Sequence, residues 1–144
     1  MKKIVLASLT IAILAGCAAN TQISAVQPGT KVQIKTSTKD ETPRSESYAT
    51  TSFGNYEFQV SADGTDPFYG VLPLKFNGGY LTLDILLFAP AAFFNLREVF
   101  PYYEFDQARG LIKYKRQEAD SWMEYQPTPE EAARAKRFFE QKQP

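Results

Sequence analysis

A chain of 144 residues with one cysteine, no histidine and 16 basic against 16 acidic side chains suits a single domain. Without histidine it has no Ser-His-Asp or Cys-His nucleophile system and no zinc site of the His/Cys type. The even charge balance offers no strongly basic face for nucleic acid.

Met1-Lys2-Lys3 is a short basic head. Residues 4–14 are an apolar run broken only by Ser8 and Thr10, and Leu14-Ala15-Gly16-Cys17 closes it with small residues before a thiol. This order reads as a secretory signal, and the run falls short of the ~20 residues that a membrane span needs. Leu14-Ala15-Gly16-Cys17 resembles the lipobox of bacterial lipoproteins. The resemblance implies that diacylglycerol joins the Cys17 sulfur, that signal peptidase II cuts before Cys17, and that the new amino group is acylated as well. Each buried CH₂ contributes ~0.8 kcal/mol, so one chain holds marginally and two or three anchor stably. Ala18 stands where Asp would signal inner-membrane retention, so the resemblance implies the periplasmic leaflet of the outer membrane.

Residues 1–16 are thus expected to be lost as signal peptide, leaving 128 residues and, without Lys2 and Lys3, a formal charge of about −2. That length is enough to bury a core. Residues 17–27 are expected to form a lipidated N-terminus and short polar tether, and 28–144 a single envelope domain.

Pro28-Gly29 signals a turn, and Lys31-Val32-Gln33-Ile34-Lys35 alternates with the period of a half-buried strand. Residues 36–47, rich in Thr, Ser, Lys and acids around Pro43, read as a solvated loop. Tyr56, Phe58 and Val60 alternate with Glu57 and Gln59, which predicts a second strand with one buried face. Asp63-Gly64 makes a turn. Pro73, unable to donate to a ladder, marks an edge strand or no strand within 71–76. Asn77-Gly78-Gly79 is another turn.

Residues 80–96 are the most apolar stretch beyond the signal, carrying Asp84 and Pro90 inside. That pattern favours core or interfacial packing over spanning. Residues 100–106 and 111–116 read as strand, turn at Arg109-Gly110, strand, and Trp122 to Tyr125 as a last short strand. Thr128-Pro129-Glu130-Glu131 is a capping box with proline at the first helical position, predicting a helix over about 129–142. Its face of Ala132, Ala135, Phe138 and Phe139 needs a partner surface.

Val26 to Ile34 (Val-Gln-Pro-Gly-Thr-Lys-Val-Gln-Ile), with Gly79-Tyr80, resembles small envelope lipoproteins carrying a PEGA-like β domain. Of that family's Gly-x-Thr-Pro turn only Thr42-Pro43 is kept. The resemblance implies a non-catalytic surface or envelope binding module and carries over no functional residue.

The carboxylate pairs Asp63/Asp66 and Glu104/Asp106 read first as turn chemistry and a solvated face. A glycosidase would need two carboxylates facing across a cleft, and a calcium loop more oxygen ligands than 63–66 offers. Arg109, Lys113, Lys115 and Arg116 form a local basic patch, either a solvated strand face or a contact for anionic headgroups. Phe93, Phe94, Phe100, Tyr102, Tyr103 and Phe105 are either core or a grip on a membrane or peptide.

The expected fold is α+β: a small antiparallel β-rich domain with a C-terminal amphipathic helix behind a cleaved signal. The expected function is a membrane-anchored, non-catalytic structural or protein-interaction lipoprotein of the envelope. Its partners are the membrane, through Cys17, and an envelope protein, with no cofactor or metal. The expected interaction surface is Phe93, Phe94, Tyr102, Tyr103, Phe138 and Phe139. Two alternatives stand. The apolar segment 80–105 would receive a lipid or hydrophobic peptide in a cavity lined by Leu83, Leu87 and Phe94. Or Glu104 and Asp106, on opposite walls of a cleft, would serve a hydrolase.

Overall fold

A computed structural model describes residues 18–49, 55–76 and 97–142. Among them the chain forms β1 (Ala18–Ala25), β2 (Lys31–Ile34), β3 (Arg44–Ala49), β4 (Glu57–Ser61), β5 (Phe68–Val71), β6 (Leu74–Phe76), β7 (Arg97–Val99), β8 (Tyr102–Asp106), β9 (Leu111–Lys115), β10 (Met123–Tyr125) and one helix, α1 (Pro129–Lys142). The fold is β-rich α+β with a C-terminal helix.

Three sheets result: β10-β9-β8-β1-β3, β2-β4-β5, and the ribbon β6-β7. All pairs are antiparallel except β1 with β8, which run parallel with Gln22 beside Tyr102 and Ile23 beside Tyr103. The two larger sheets pack face to face. Ile23, Tyr48, Tyr103, Phe105 and Ile112 from one meet Val32, Ile34, Tyr56, Phe58 and Val60 from the other, all buried. Phe58 lies edge-on to Phe105 at 5.0 Å between ring centres, the geometry that aromatic quadrupoles favour.

Helix α1 lies against β5 and β4 and buries Ala135 and Phe139. The predicted cap is present: Glu131 N donates to Thr128 Oγ1 (3.3 Å) and Thr128 N to Glu131 Oε2 (2.9 Å). Alternation along β4 puts Phe58 and Val60 toward the facing sheet and Glu57 toward the helix. There Glu57, 5 % exposed, pairs with Lys35 of the β2 end at 3.0 Å and Arg134 of α1 at 3.3 Å. Glu57 was expected on a solvated face. Its charge is buried because two cations meet it.

Two further expectations are corrected. Ala18–Ala25 is not a tether but the strand between β8 and β3, with Ile23 fully buried and Thr21 1 % exposed. The solvated loop expected over 36–47 ends early, because Arg44–Ala49 pairs with β1 along six residues. Arg44 and Glu46 point inward on this strand yet satisfy each other at 3.3 Å, and Glu46 also accepts from Tyr48 Oη (2.5 Å) and Ser37 Oγ. Burial of the Tyr48 hydroxyl, together with this hydrogen bond to Glu46, raises its pKa well above the usual tyrosine range.

Candidate functional site

The five-stranded sheet has one covered face and one open face. Ile23, Tyr103, Phe105 and Ile112 fill the covered one. Strand alternation then sends their neighbours to the other side. Register sets these neighbours in rows across the strands. Ser45, Gln22, Tyr102 and Lys115 stand side by side in one row; Ser24, Glu104, Lys113 and Glu124 form the next.

The second row is a ladder of ion pairs. Lys113 Nζ donates to Glu104 Oε1 at 3.0 Å, and Arg109 grips Glu124 with two bonds of 2.8 and 3.1 Å. The hydrogen bonds and charge of Arg109 hold the Glu124 carboxyl below its ordinary pKa. The sequence-level basic patch is therefore largely neutralised: Arg109 and Lys113 each have a carboxylate.

The first row differs. Lys115 Nζ donates to Glu118 O at 2.6 Å and lies 4.6 Å from the Trp122 ring centre and 5.3 Å from that of Tyr102. Both lie within cation–π range. Among the described residues no carboxylate pairs with Lys115. This half-buried ammonium keeps N–H donors available beyond the one taken by Glu118. Beside it opens a cavity of about 480 Å³ whose walls include Gln22, Arg44, Tyr102, Lys115, Glu118 and Trp122. Trp122, the only tryptophan, is 38 % exposed.

Two aromatic rings, amide and hydroxyl groups, Lys115, Glu118 and the Glu46-paired Arg44 converge on a shallow polar cavity, in which Lys115 makes no ion pair among the described residues. Such a set matches an anionic group attached to a flat or apolar body, such as a carboxylate-bearing peptide segment.

Of the residues singled out from sequence, Tyr102 lies at this cavity. Tyr103 does not: it is 1 % exposed, its hydroxyl accepts from Phe100 N (2.9 Å) and donates to Pro73 O (2.6 Å), and burial raises its pKa. Phe139 is likewise buried, 3 % exposed, and Phe138 stands edge-on to it with Lys35 Nζ 4.9 Å from the Phe138 ring. Tyr103 and Phe139 fill the core rather than form a free surface, while Phe138 stays half-exposed. Phe93, Phe94, Cys17 and the expected cavity at Leu83 and Leu87 lie outside the described residues. The described end of the apolar segment, with Val99, Phe100, Tyr103 and Phe105 buried, is core.

The carboxylate pair does not face across a cleft. Glu104 and Asp106 lie on the same side of one strand, Glu104 with Lys113 and Asp106 under Gln27. Asp106 is 4 % exposed. Burial pushes its pKa up, but hydrogen bonds from Gln27 Nε2 (3.0 Å) and Arg109 N (3.2 Å) and the charges of Lys113 and Arg109 outweigh it, leaving the carboxyl below its ordinary value. It closes the Gly110 turn, where φ is 63°. Among the described residues no group of three or more Cys, Asp or Glu side chains is placed to hold a metal ion.

Compared with known proteins, the chain matches no family model, no curated protein and no solved structure.

Trp122 and Lys115 were not joined by the sequence reading. One was the start of a short strand and the other a member of a basic run. The usable signal was a lone tryptophan just after the polar run 117–121, where no apolar period explains a large ring.

Proposed function

We propose that the mature chain is a lipoprotein of the bacterial envelope, anchored by lipid on Cys17 in the periplasmic leaflet of the outer membrane, whose domain binds a protein partner without catalysis. The anchor rests on the basic head, the short apolar run and the lipobox-like Leu14-Ala15-Gly16-Cys17. The observation that carries the binding role is Lys115. A half-buried cation held between Tyr102 and Trp122 at a polar cavity, bonded to the backbone of Glu118 and forming no ion pair with the described carboxylates, suits a carboxylate from outside. The PEGA-like resemblance over Val26 to Ile34 points to the same non-catalytic class.

Two experiments test this reading. Metabolic labelling with a fatty-acid analogue should mark the native chain and leave Cys17→Ser unmarked; equal label on both removes the anchor. A photo-crosslinking residue at Trp122 should capture a discrete partner in cells, and Lys115→Glu should abolish that product while the circular dichroism of the domain is unchanged. Capture unaffected by Lys115→Glu removes the cavity from the binding role.

A further inference from the structure

Resting on the lipid anchor proposed above, we infer that the anchor is joined to the fold without slack, so that the domain stands on the membrane in one orientation, with the Ala18/Ala49 end of its sheet against the bilayer. Cys17 is one peptide bond from Ala18, and Ala18 is already paired with Ala49. Consecutive Cα atoms are about 3.8 Å apart, so the acylated residue lies within that distance of an ordered strand.

Strand β1 is also not free to swing. It carries a ladder on each edge, antiparallel to β3 and parallel to β8, and Ile23 is fully buried beneath it. Tilting the domain far from its anchor would mean peeling the strand from both neighbours. An ordinary flexible tether of ten residues, by contrast, spans roughly 16–19 Å and permits any orientation.

The two ends of the sheet differ in the way this placement requires. Ala18, Ala19 and Asn20 of β1 and Ser47, Tyr48 and Ala49 of β3 form the corner beside Cys17, and none of the six is charged; Arg116, Glu118 and Asp120, beyond β9, stand toward the same end farther across the sheet. At the opposite end Val26 N donates to Phe105 O, and Gln107 reaches Thr65 Oγ1 and Asp66 O, both at 2.8 Å. That end carries the exposed Asp63 and Asp66. An anionic headgroup layer repels carboxylates, so the uncharged β1/β3 corner suits the membrane better than the region of Asp63 and Asp66 does. With a rise of about 3.3 Å per residue, Gln22 lies about 17 Å along the strand from Cys17 and Ala25 about 26 Å. The cavity at Gln22, Tyr102 and Lys115 therefore lies in the aqueous layer above the bilayer, about 17 Å along the strand from the anchored residue.

The test uses the full lipidated protein in vesicles of phosphatidylethanolamine and phosphatidylglycerol. The folded body has no cysteine of its own, and the Cys17 sulfur is blocked as a thioether. Ser47→Cys and Asp63→Cys, both at exposed positions, can thus each carry one fluorophore. Lipids with a nitroxide on the headgroup should quench the label at 47 several-fold more than the label at 63. A flexible Gly/Ser spacer of about ten residues between Cys17 and Ala18 should erase the difference. Equal quenching at the two positions with native spacing, or a difference that survives the spacer, overturns the orientation. Failure of the protein to float with the vesicles is a separate result: it removes the anchor, and this inference with it.

Discussion

Replacing Ile23 by alanine asks whether the residues after Cys17 are a tether or the centre of the sheet. Ile23 is fully buried between Tyr103 of β8 and the β3 strand. The substitution removes three carbons, which at about 0.8 kcal/mol each gives ~2.4 kcal/mol of lost transfer energy. The site collapses poorly, because its neighbours are large rings and ladder backbone, so a cavity term adds to this and the expected loss is about 3–4 kcal/mol. Against a total stability of order 5–15 kcal/mol that is a large fraction. The assay is urea unfolding of the mature domain followed by circular dichroism, with Gln22→Ala as the control on the open face, expected to change stability by less than about 0.5 kcal/mol. An Ile23→Ala loss no larger than that of the control would show that 18–25 contributes nothing to the fold.

Three more outcomes are expected. A Cβ on Gly70 would lie 2.5 Å from Pro127 Cγ and 2.7 Å from Phe58 Cζ, so Gly70→Ala should cost about 1–3 kcal/mol in the same unfolding assay, since the proline ring cannot turn away. Burial, with the hydrogen bond and charge of Glu131, pushes the Tyr125 hydroxyl up to about 12. The raised value gives stability that is complete below the ordinary tyrosine pKa and fades as pH climbs through about 12. Glu131→Gln should return the phenol toward its ordinary value in an ultraviolet titration. Asp106 has the opposite sign: its lowered pKa gives stability present above the ordinary aspartate value of about 3.9 and lost as pH falls through the folded one. The stability gap between the native chain and Asp106→Asn should therefore narrow below about pH 4, and a gap constant from pH 7 to 2 would contradict the hydrogen-bonded anion.

What could be read from the sequence was whatever obeyed a period with strong side chains. The strands around Val32 and Ile34, Phe58 and Val60, and Phe105 and Ile112 alternate large apolar with polar residues, and all are strands. The helix start was legible because a capping box is local chemistry. Strand β1 was not, although Ala19, Thr21 and Ile23 do share a face. Two of the three are small, and only Ile23 carries a large apolar signal. Strand β3 hid for a different reason. Arg44 and Glu46 face inward as mutual partners, and a hydropathy pattern sees two charges where the fold sees one neutralised pair. Glu57 failed in the same way. The candidate cavity was illegible because its row is assembled from four strands, and register is a property of pairing, not of any one segment.

The parallel pairing of β1 with β8 ties these points together. Parallel neighbours need a long connection, and here the whole body of the domain supplies it: Ser24 Oγ donates to Tyr103 O across 79 residues of sequence. Strand β1 thus has one partner, β3, close in sequence and the other, β8, in the last third of the chain, where β8 is itself paired with β9. Such distant closure is slow relative to local hairpins. Once β8 docks, the same strand is held along both edges. Weak local hydrophobicity in 18–25 leaves this strand unspecified by its own residues, and partners near and far in the chain convert it into an interior strand.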